Sequence, residues 1–316
     1  VIAEVLRSGF EESRHHGSAV LLGADGRPVF SVGEVTAAMF PRSSNKPMQA
    51  AAMRACGLGL EGELLALASA SHSGEDFHVT GVRKILASAG LTEDALQCPP
   101  ALPLDEAALW RFLGEGGRPD RVHMNCSGKH AAMLATCVTA GWPTQTYRDP
   151  DHPLQREIKA ALARLAGEEV AATGVDGCGA PLFAVSLTGL ARAFRALVLA
   201  DPGSAERSVV DAVRANPEWT SGTARSENAL HRAVPGLLVK SGAEGVQAFA
   251  LADGRAGAVK MEDGSPRAIP AITVALLRQF GVDRDEDVDK EALDRIAEVP
   301  VLGGGEVVGH VFARLT

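Results

Sequence analysis

Strand-like patterning is confined to the two ends of this chain, and helix-like patterning fills its middle. Ser18 to Leu22 and Val29 to Val32 flank Ala24-Asp25-Gly26-Arg27 and read as a β-hairpin turning at Asp25-Gly26. Val246 to Leu251 and Gly257 to Met261 repeat that pattern around Asp253-Gly254, and Glu306 to Leu315 reads as a last strand. Helical spacing runs through Met48 to Cys56, Leu64 to Ala70, Val79 to Ala89, Glu106 to Leu113, Ser127 to Thr139, Leu154 to Leu165, Leu187 to Leu199 and Ala205 to Arg214, and returns at Ile272 to Phe280. Terminal strands around a helical middle imply an α/β (α+β) fold. One antiparallel sheet is expected from both chain ends, with helices packed on it and a mainly helical lobe beside it. This is one domain over 1–316, with the helical lobe at about 60–230 and the sheet lobe from 1–60 and 231–316. Gly303-Gly304-Gly305 is expected to be a turn and not a phosphate loop, because no helical pattern follows it.

With 316 residues, 46% of them hydrophobic, the chain can bury a substantial core. Its net charge of -8 and the absence of a basic run exclude nucleic acid as the expected partner. No apolar run approaches the ~20 residues of a membrane span. Val1-Ile2-Ala3-Glu4 opens no basic-then-apolar segment, so no secretory signal is expected. Five Cys in a chain this long do not form a disulfide framework, and the cytoplasm is the expected compartment.

Three short stretches carry chemistry. Arg42-Ser43-Ser44-Asn45-Lys46-Pro47 contains a Ser-x-x-Lys step at the start of a helical pattern. Residues three apart on a helix share a face, so Ser43 and Lys46 can touch, and a neutral Lys can take a Ser proton. Read alone, the tetrapeptide is better taken as an ordinary helix cap with a surface Lys, because Ser-x-x-Lys recurs by chance in soluble proteins. Pro47 biases Lys46 away from helical backbone, so the helix is expected to begin near Ser44 or Asn45, with Ser43 just outside. Asn125-Cys126-Ser127-Gly128-Lys129-His130 opens another helix, where a thiol is favoured as thiolate. Val175-Asp176-Gly177-Cys178-Gly179-Ala180-Pro181 sets a second Cys in a loop. The two sulfurs, helped by His130, Asp176 or an unprotonated Lys129, could bind zinc, remain as two buried thiols, or form a disulfide. Ala70-Ser71-His72-Ser73-Gly74-Glu75 offers His72 as a triad base. It also reads as a helix C-terminus capped by Gly74. Lys260 lies in an apolar strand, directed to solvent or into a site.

These stretches, with Asp149-Pro150-Asp151-His152-Pro153 and Val259-Lys260-Met261-Glu262-Asp263-Gly264, occur in an order that resembles the Rhizobium-type (class 3) L-asparaginases, the asparaginase II family. The resemblance runs from about Ala3 to the C-terminus. It implies a serine β-lactamase/glutaminase-like fold and two Ser-Lys pairs, Ser43 with Lys46 and Ser71 with Lys260. It also implies Zn2+ held by Cys126, Lys129 and Cys178, with Asp176 reached through water, and a homodimer.

The expected activity is hydrolysis of L-asparagine to L-aspartate and ammonia. Ser43 would attack with Lys46 as base, while Ser71 and Lys260 relay protons. Backbone N–H groups at the helix start would hold the oxyanion. Zinc would position the substrate and would not generate the nucleophile. Arg42, Asn125 and His130 are candidate substrate binders, with Arg42 equally readable as a structural ion pair. Glutaminase differs by one methylene, worth only ~1–3 kcal/mol of discrimination in a pocket. A β-lactam hydrolase would carry Ser-Asp-Asn and Lys-Thr-Gly, and neither occurs. A zinc-stabilised amino-acid-binding protein without turnover is the non-enzymatic alternative.

Overall fold

The computed structural model describes residues 1–315, and the chain divides into two compact units. The first comprises Val1–Ser44, Val185–Leu199 and the chain from Ala229 onward; the second comprises Asn45–Ala184 and Ala200–Asn228.

The first unit is built on two antiparallel sheets where one was expected. A four-stranded sheet runs in the order Val299–Gly303, Glu306–Ala313, Ala3–Arg7, Phe10–His15. A five-stranded sheet runs Pro28–Val32, Gly17–Leu22, Ala256–Met261, Val246–Ala250, Leu238–Gly242. Only His16 separates the edge strand of the first from the second strand of the other, so the chain passes between sheets in a single residue. Register pairs Val5 with Val311 and Val20 with Ala258, and this sets the buried faces. The helix Ile269–Gln279 packs on both sheets, and Leu187–Val198 packs on the five-stranded one. Ile2, Val5, Leu21, Phe249, Val259, Ile272 and Leu276 form the core between them. The Gly303-Gly304-Gly305 run is the expected hairpin turn, with Gly304 and Gly305 at positive φ.

The second unit is helical. Lys46–Ala55 packs against Ser127–Ala140, Pro153–Ala166 and Ala205–Ala215, while Gly62–Ala68 and Asp76–Ser88 close around Ser127–Ala140. His152 begins Pro153–Ala166 by accepting the Leu154 N–H at Nδ1, 3.1 Å, so the Asp149 to Pro153 motif is a helix cap. A short strand, Ala172–Val175, pairs antiparallel with Pro181–Ala184 and so fixes the loop that carries Cys178.

Candidate active site

The second unit gathers Lys46, Ser71, Cys126, Lys129, His130 and Cys178 in its interior. Lys46 is the first residue of its helix, with Pro47 in the first turn where no N–H partner is lost. The preceding residues Arg42–Asn45 form a 3-10 turn, so the α-helix starts one or two residues later than expected. The Lys46 side chain is fully buried. Its Nζ donates to the Ala70 carbonyl, to Ser71 Oγ at 3.0 Å and to Cys126 Sγ at 3.1 Å. Only the carbonyl is an obligate acceptor. A neutral amine can therefore keep its N–H on Ala70 and receive the Ser71 hydroxyl at its lone pair.

Ser71 lies in an irregular segment, because the helix Gly62–Ala68 ends earlier than expected and Gly74 is not its cap. Tertiary bonds end that helix. Ser71 N–H donates to Thr220 O and His72 N–H to Asn125 O, each 3.0 Å, and Ser73 Oγ donates to Ser221 O at 2.7 Å. His72 does not serve Ser71. Its Nδ1 accepts Gly74 N–H at 3.2 Å and its Nε2 meets Ser127 Oγ at 2.8 Å. Burial, with His78 and Lys46 nearby, pushes its pKa well below the ordinary value.

Cys126 precedes the helix Ser127–Ala140 and donates to Asn125 Oδ1 at 3.3 Å. Lys129, on the first turn, donates from Nζ to Cys178 Sγ at 3.1 Å. Cys178 is held in a tight turn, in which Gly179 N–H donates to Asp176 O at 2.8 Å. Gly179 has φ +83°, a backbone setting that favours glycine, and the Arg148 guanidinium lies against it. Asp176 Oδ2 is 3.7 Å from Cys178 Sγ. The neighbouring Cys126 thiol, Lys129 and His130 lower the pKa of Cys178 well below the usual thiol range, against the effect of burial. Cys178 and burial push the Cys126 thiol well up, against Lys46 and Lys129. Burial acts to lower Lys129, but the two sulfurs and Asp176 outweigh it and the ammonium is favoured. Burial pushes His130 down, against the pull of Cys178. Ser71, Lys46 and Cys126 are thus joined by hydrogen bonds through Lys46, and Lys129 and Cys178 are joined to each other.

Ser43, Arg42 and Lys260 belong to the first unit. Lys260 donates to the carbonyls of Glu244 and Met261, both 2.6 Å. Burial and Arg42 lower its pKa, opposed by Glu244 and Asp263. Arg42 has φ +50°, a strained setting for a side chain beside a candidate nucleophile, and its guanidinium is 3.7 Å from the Glu244 carboxylate. The expected pairs were Ser43 with Lys46 and Ser71 with Lys260. The structure joins Lys46 to Ser71.

The sequence model of the L-asparaginase II family matches residues 3–313. The chain belongs to the L-asparaginase II family. Membership places it among the amidohydrolases. No curated protein matches the chain. Among solved structures it is similar to a beta-lactamase from Mycobacterium bovis, 17% identical over 84% of this chain and 94% of the other, with a TM-score of 0.46. Mglu in its native form is 17% identical over 96% and 72%, TM-score 0.46. EstCE1, a hydrolase with promiscuous acyltransferase activity, is 14% identical over 79% and 89%, TM-score 0.40.

The asparaginase II resemblance implies zinc on Cys126, Lys129 and Cys178, with Asp176 through water. Among the described residues, no group of three or more His, Cys, Asp and Glu side chains is arranged to hold a metal. A site here therefore needs the Lys129 amine beside the two sulfurs. Two sulfurs and an amine nitrogen, with Asp176 close to Cys178, are a donor set that Zn2+ accepts once Lys129 gives up a proton. Sequence reasoning did not single out Tyr147. The hydroxyl of this buried residue lies 2.6 Å from His130 Nδ1, and it is the only Tyr in a chain of 4% aromatic content. Among the described residues, no helix is long and apolar enough to cross a membrane.

Proposed function

We propose that this L-asparaginase II family member hydrolyses L-asparagine to L-aspartate and ammonia, with Ser71 as nucleophile and Lys46 as its base. The observation that carries this reading is the Lys46 Nζ to Ser71 Oγ hydrogen bond at 3.0 Å, between two buried side chains. Ser71 Oγ attacks the side-chain amide carbon as its proton passes to the Lys46 amine. The Lys46 ammonium then protonates the departing nitrogen, ammonia leaves, and an acyl ester remains on Ser71. Lys46 next takes a proton from water, whose oxygen cleaves the ester, and the proton returns to Ser71 as aspartate departs. The N–H groups of Ser71 and His72 are already bonded, so they are not the oxyanion donors. Arg42, Asn125 and His130 stand as substrate binders, and Ser43 with Lys260 as a second Ser and Lys. Zn2+, when bound, would be held by Cys126, Cys178 and Lys129, with Asp176 through water, and would orient a substrate oxygen. A homodimer in the cytoplasm belongs to the same reading.

The test is ammonia release from L-asparagine and from L-glutamine on wild type, Ser71→Ala and Ser43→Ala, with zinc quantified in each preparation. Release from asparagine that falls at least ~1,000-fold in Ser71→Ala supports the proposal. A comparable loss in Ser43→Ala with Ser71→Ala still active would return the nucleophile to Ser43. Release from glutamine alone, or from neither amide in folded wild type, would sink the substrate.

A further inference from the structure

We propose that Tyr147 is a positioning residue that locks His130 in the Nε2–H tautomer, so that His130 offers a hydrogen-bond donor beside Cys178 and is not a metal ligand. Both side chains are fully buried. The Tyr147 oxygen accepts the Gln97 backbone N–H at 3.1 Å and lies 2.6 Å from His130 Nδ1. A backbone N–H can only donate, so one lone pair of the phenol is taken. If His130 Nδ1 carried the proton, the phenol would accept twice and its own hydrogen would be buried without an acceptor. Burying a hydrogen-bond donor without an acceptor forfeits its hydration with nothing in return. The phenol is satisfied when Tyr147 donates to a bare Nδ1; a neutral imidazole with bare Nδ1 carries its proton on Nε2, which leaves one buried group unpaired where the other tautomer leaves two, the phenol hydrogen and a bare Nε2.

That Nε2 is buried and has no hydrogen-bond partner among the described residues. The Cys178 sulfur attracts this buried donor without reaching hydrogen-bond geometry, so it is suited to an acceptor that arrives with the substrate: an amide carbonyl or a carboxylate oxygen. A metal requires a bare nitrogen, and Tyr147 has already taken the only one. The frame around Tyr147 is fixed. Gln155 Nε2 donates to the Tyr147 carbonyl at 2.7 Å, and Arg148 Nε donates to Gln97 Oε1 at 2.9 Å. The assignment deepens the reading of His130 as a substrate binder and rests on it for function, while the tautomer itself does not.

The test is a long-range proton–nitrogen NMR spectrum of the full chain labelled with 15N-histidine, on wild type and Tyr147→Phe, with His130→Gln to assign the signal. Wild type should show His130 with a bare Nδ1 and protonated Nε2. In Tyr147→Phe that pattern should be lost or averaged. Asparagine turnover supplies the second readout. Tyr147→Phe should lower kcat/KM about tenfold, mostly through KM, in wild type. It should have no further effect in His130→Gln, whose amide donates without a tautomer to set. A protonated Nδ1 in wild type, or an unchanged pattern in Tyr147→Phe, would overturn the proposal whatever the turnover shows. Equal Tyr147→Phe losses in both backgrounds would overturn its link to His130. Absence of asparagine turnover would remove the proposed function and leave the tautomer result standing.

Discussion

At the scale of single residues, Lys46 carries the most chemistry and leaves the least room for substitution. Its nitrogen binds a carbonyl, a hydroxyl and a thiol, all in the interior. Lys46→Met keeps the length of the stem and removes the nitrogen, so the Ala70 carbonyl and Ser71 hydroxyl lose their partner. Turnover should fall about 100- to 10,000-fold, the range for loss of a positioned base. Lys46→Arg should fare little better, because a guanidinium cannot take the Ser71 proton. An assay that finds either variant within threefold of wild type would remove Lys46 from the reaction. The residue types of this site were legible in the sequence: Ser43, Lys46, Ser71, Cys126, Lys129, Cys178 and Lys260 all lie in recognisable motifs. Their partners were not. Ser-x-x-Lys spacing suggests contact between Ser43 and Lys46 only if one helix carries both. Here Ser43 sits in the 3-10 turn and Lys46 begins the helix, so the geometry of the spacing does not apply. The bond from Lys46 to Ser71 spans 25 residues, and no local pattern encodes it. Tyr147 was invisible for the same reason, since its role depends on facing His130 across 17 residues.

At the scale of elements, the helix Ser127–Ala140 places Lys129 and follows directly on Cys126, and its own position depends on Gly128. A Cβ at Gly128 would lie 2.6 Å from the Leu67 carbonyl oxygen and 2.8 Å from Leu67 Cγ, on the helix Gly62–Ala68. Gly128→Ala must push the two helices apart, which costs about 1–3 kcal/mol by the usual penalty for overpacking. Gly114→Ala is the control, because a Cβ there meets nothing within 4 Å. Urea unfolding should show the loss for Gly128→Ala and a change within ~0.5 kcal/mol for Gly114→Ala. Equal stability of the two variants would mean that the helices do not need their close approach. Most helices were readable from periodicity, and their boundaries moved by a few residues. Two of the strands that escaped show why. Phe10–His15 is an edge strand with five exposed residues, and Phe-Glu-Glu-Ser-Arg-His has no apolar alternation to detect. Pro181–Ser186 is buried on both faces and runs directly into the helix Leu187–Val198, so periodicity cannot separate the two. The expectation of one sheet failed where His16 alone separates strands of different sheets. Alternation marks a strand without naming its partner.

At the scale of the whole molecule, the polar interior needed for chemistry makes stability depend on pH. His72 and His78 stack with ring centroids 5.1 Å apart, both buried. His78 Nε2 donates to the Glu218 carbonyl at 3.0 Å and so carries the proton, while its buried Nδ1 has no hydrogen-bond partner among the described residues. Burial pushes His78 from 6.5 to about 4, and pushes His72 down as well. The unfolded chain then binds protons below pH 6.5 that the folded chain refuses. Stability is whole above that pH and declines as pH falls through the window from 6.5 to about 4. The His78 shift alone corresponds to ~3 kcal/mol across that window, and His72 adds in the same direction. Urea midpoints measured from pH 7.5 to 4.5 should fall steadily below 6.5. His78→Gln, whose amide can still donate toward the Glu218 carbonyl, should flatten the fall while costing stability at pH 7.5. A midpoint constant from pH 6.5 to 4.5 in wild type would show that the buried imidazoles are reached by protons without unfolding. The interior of the helical unit would then be more open to water than its packing indicates.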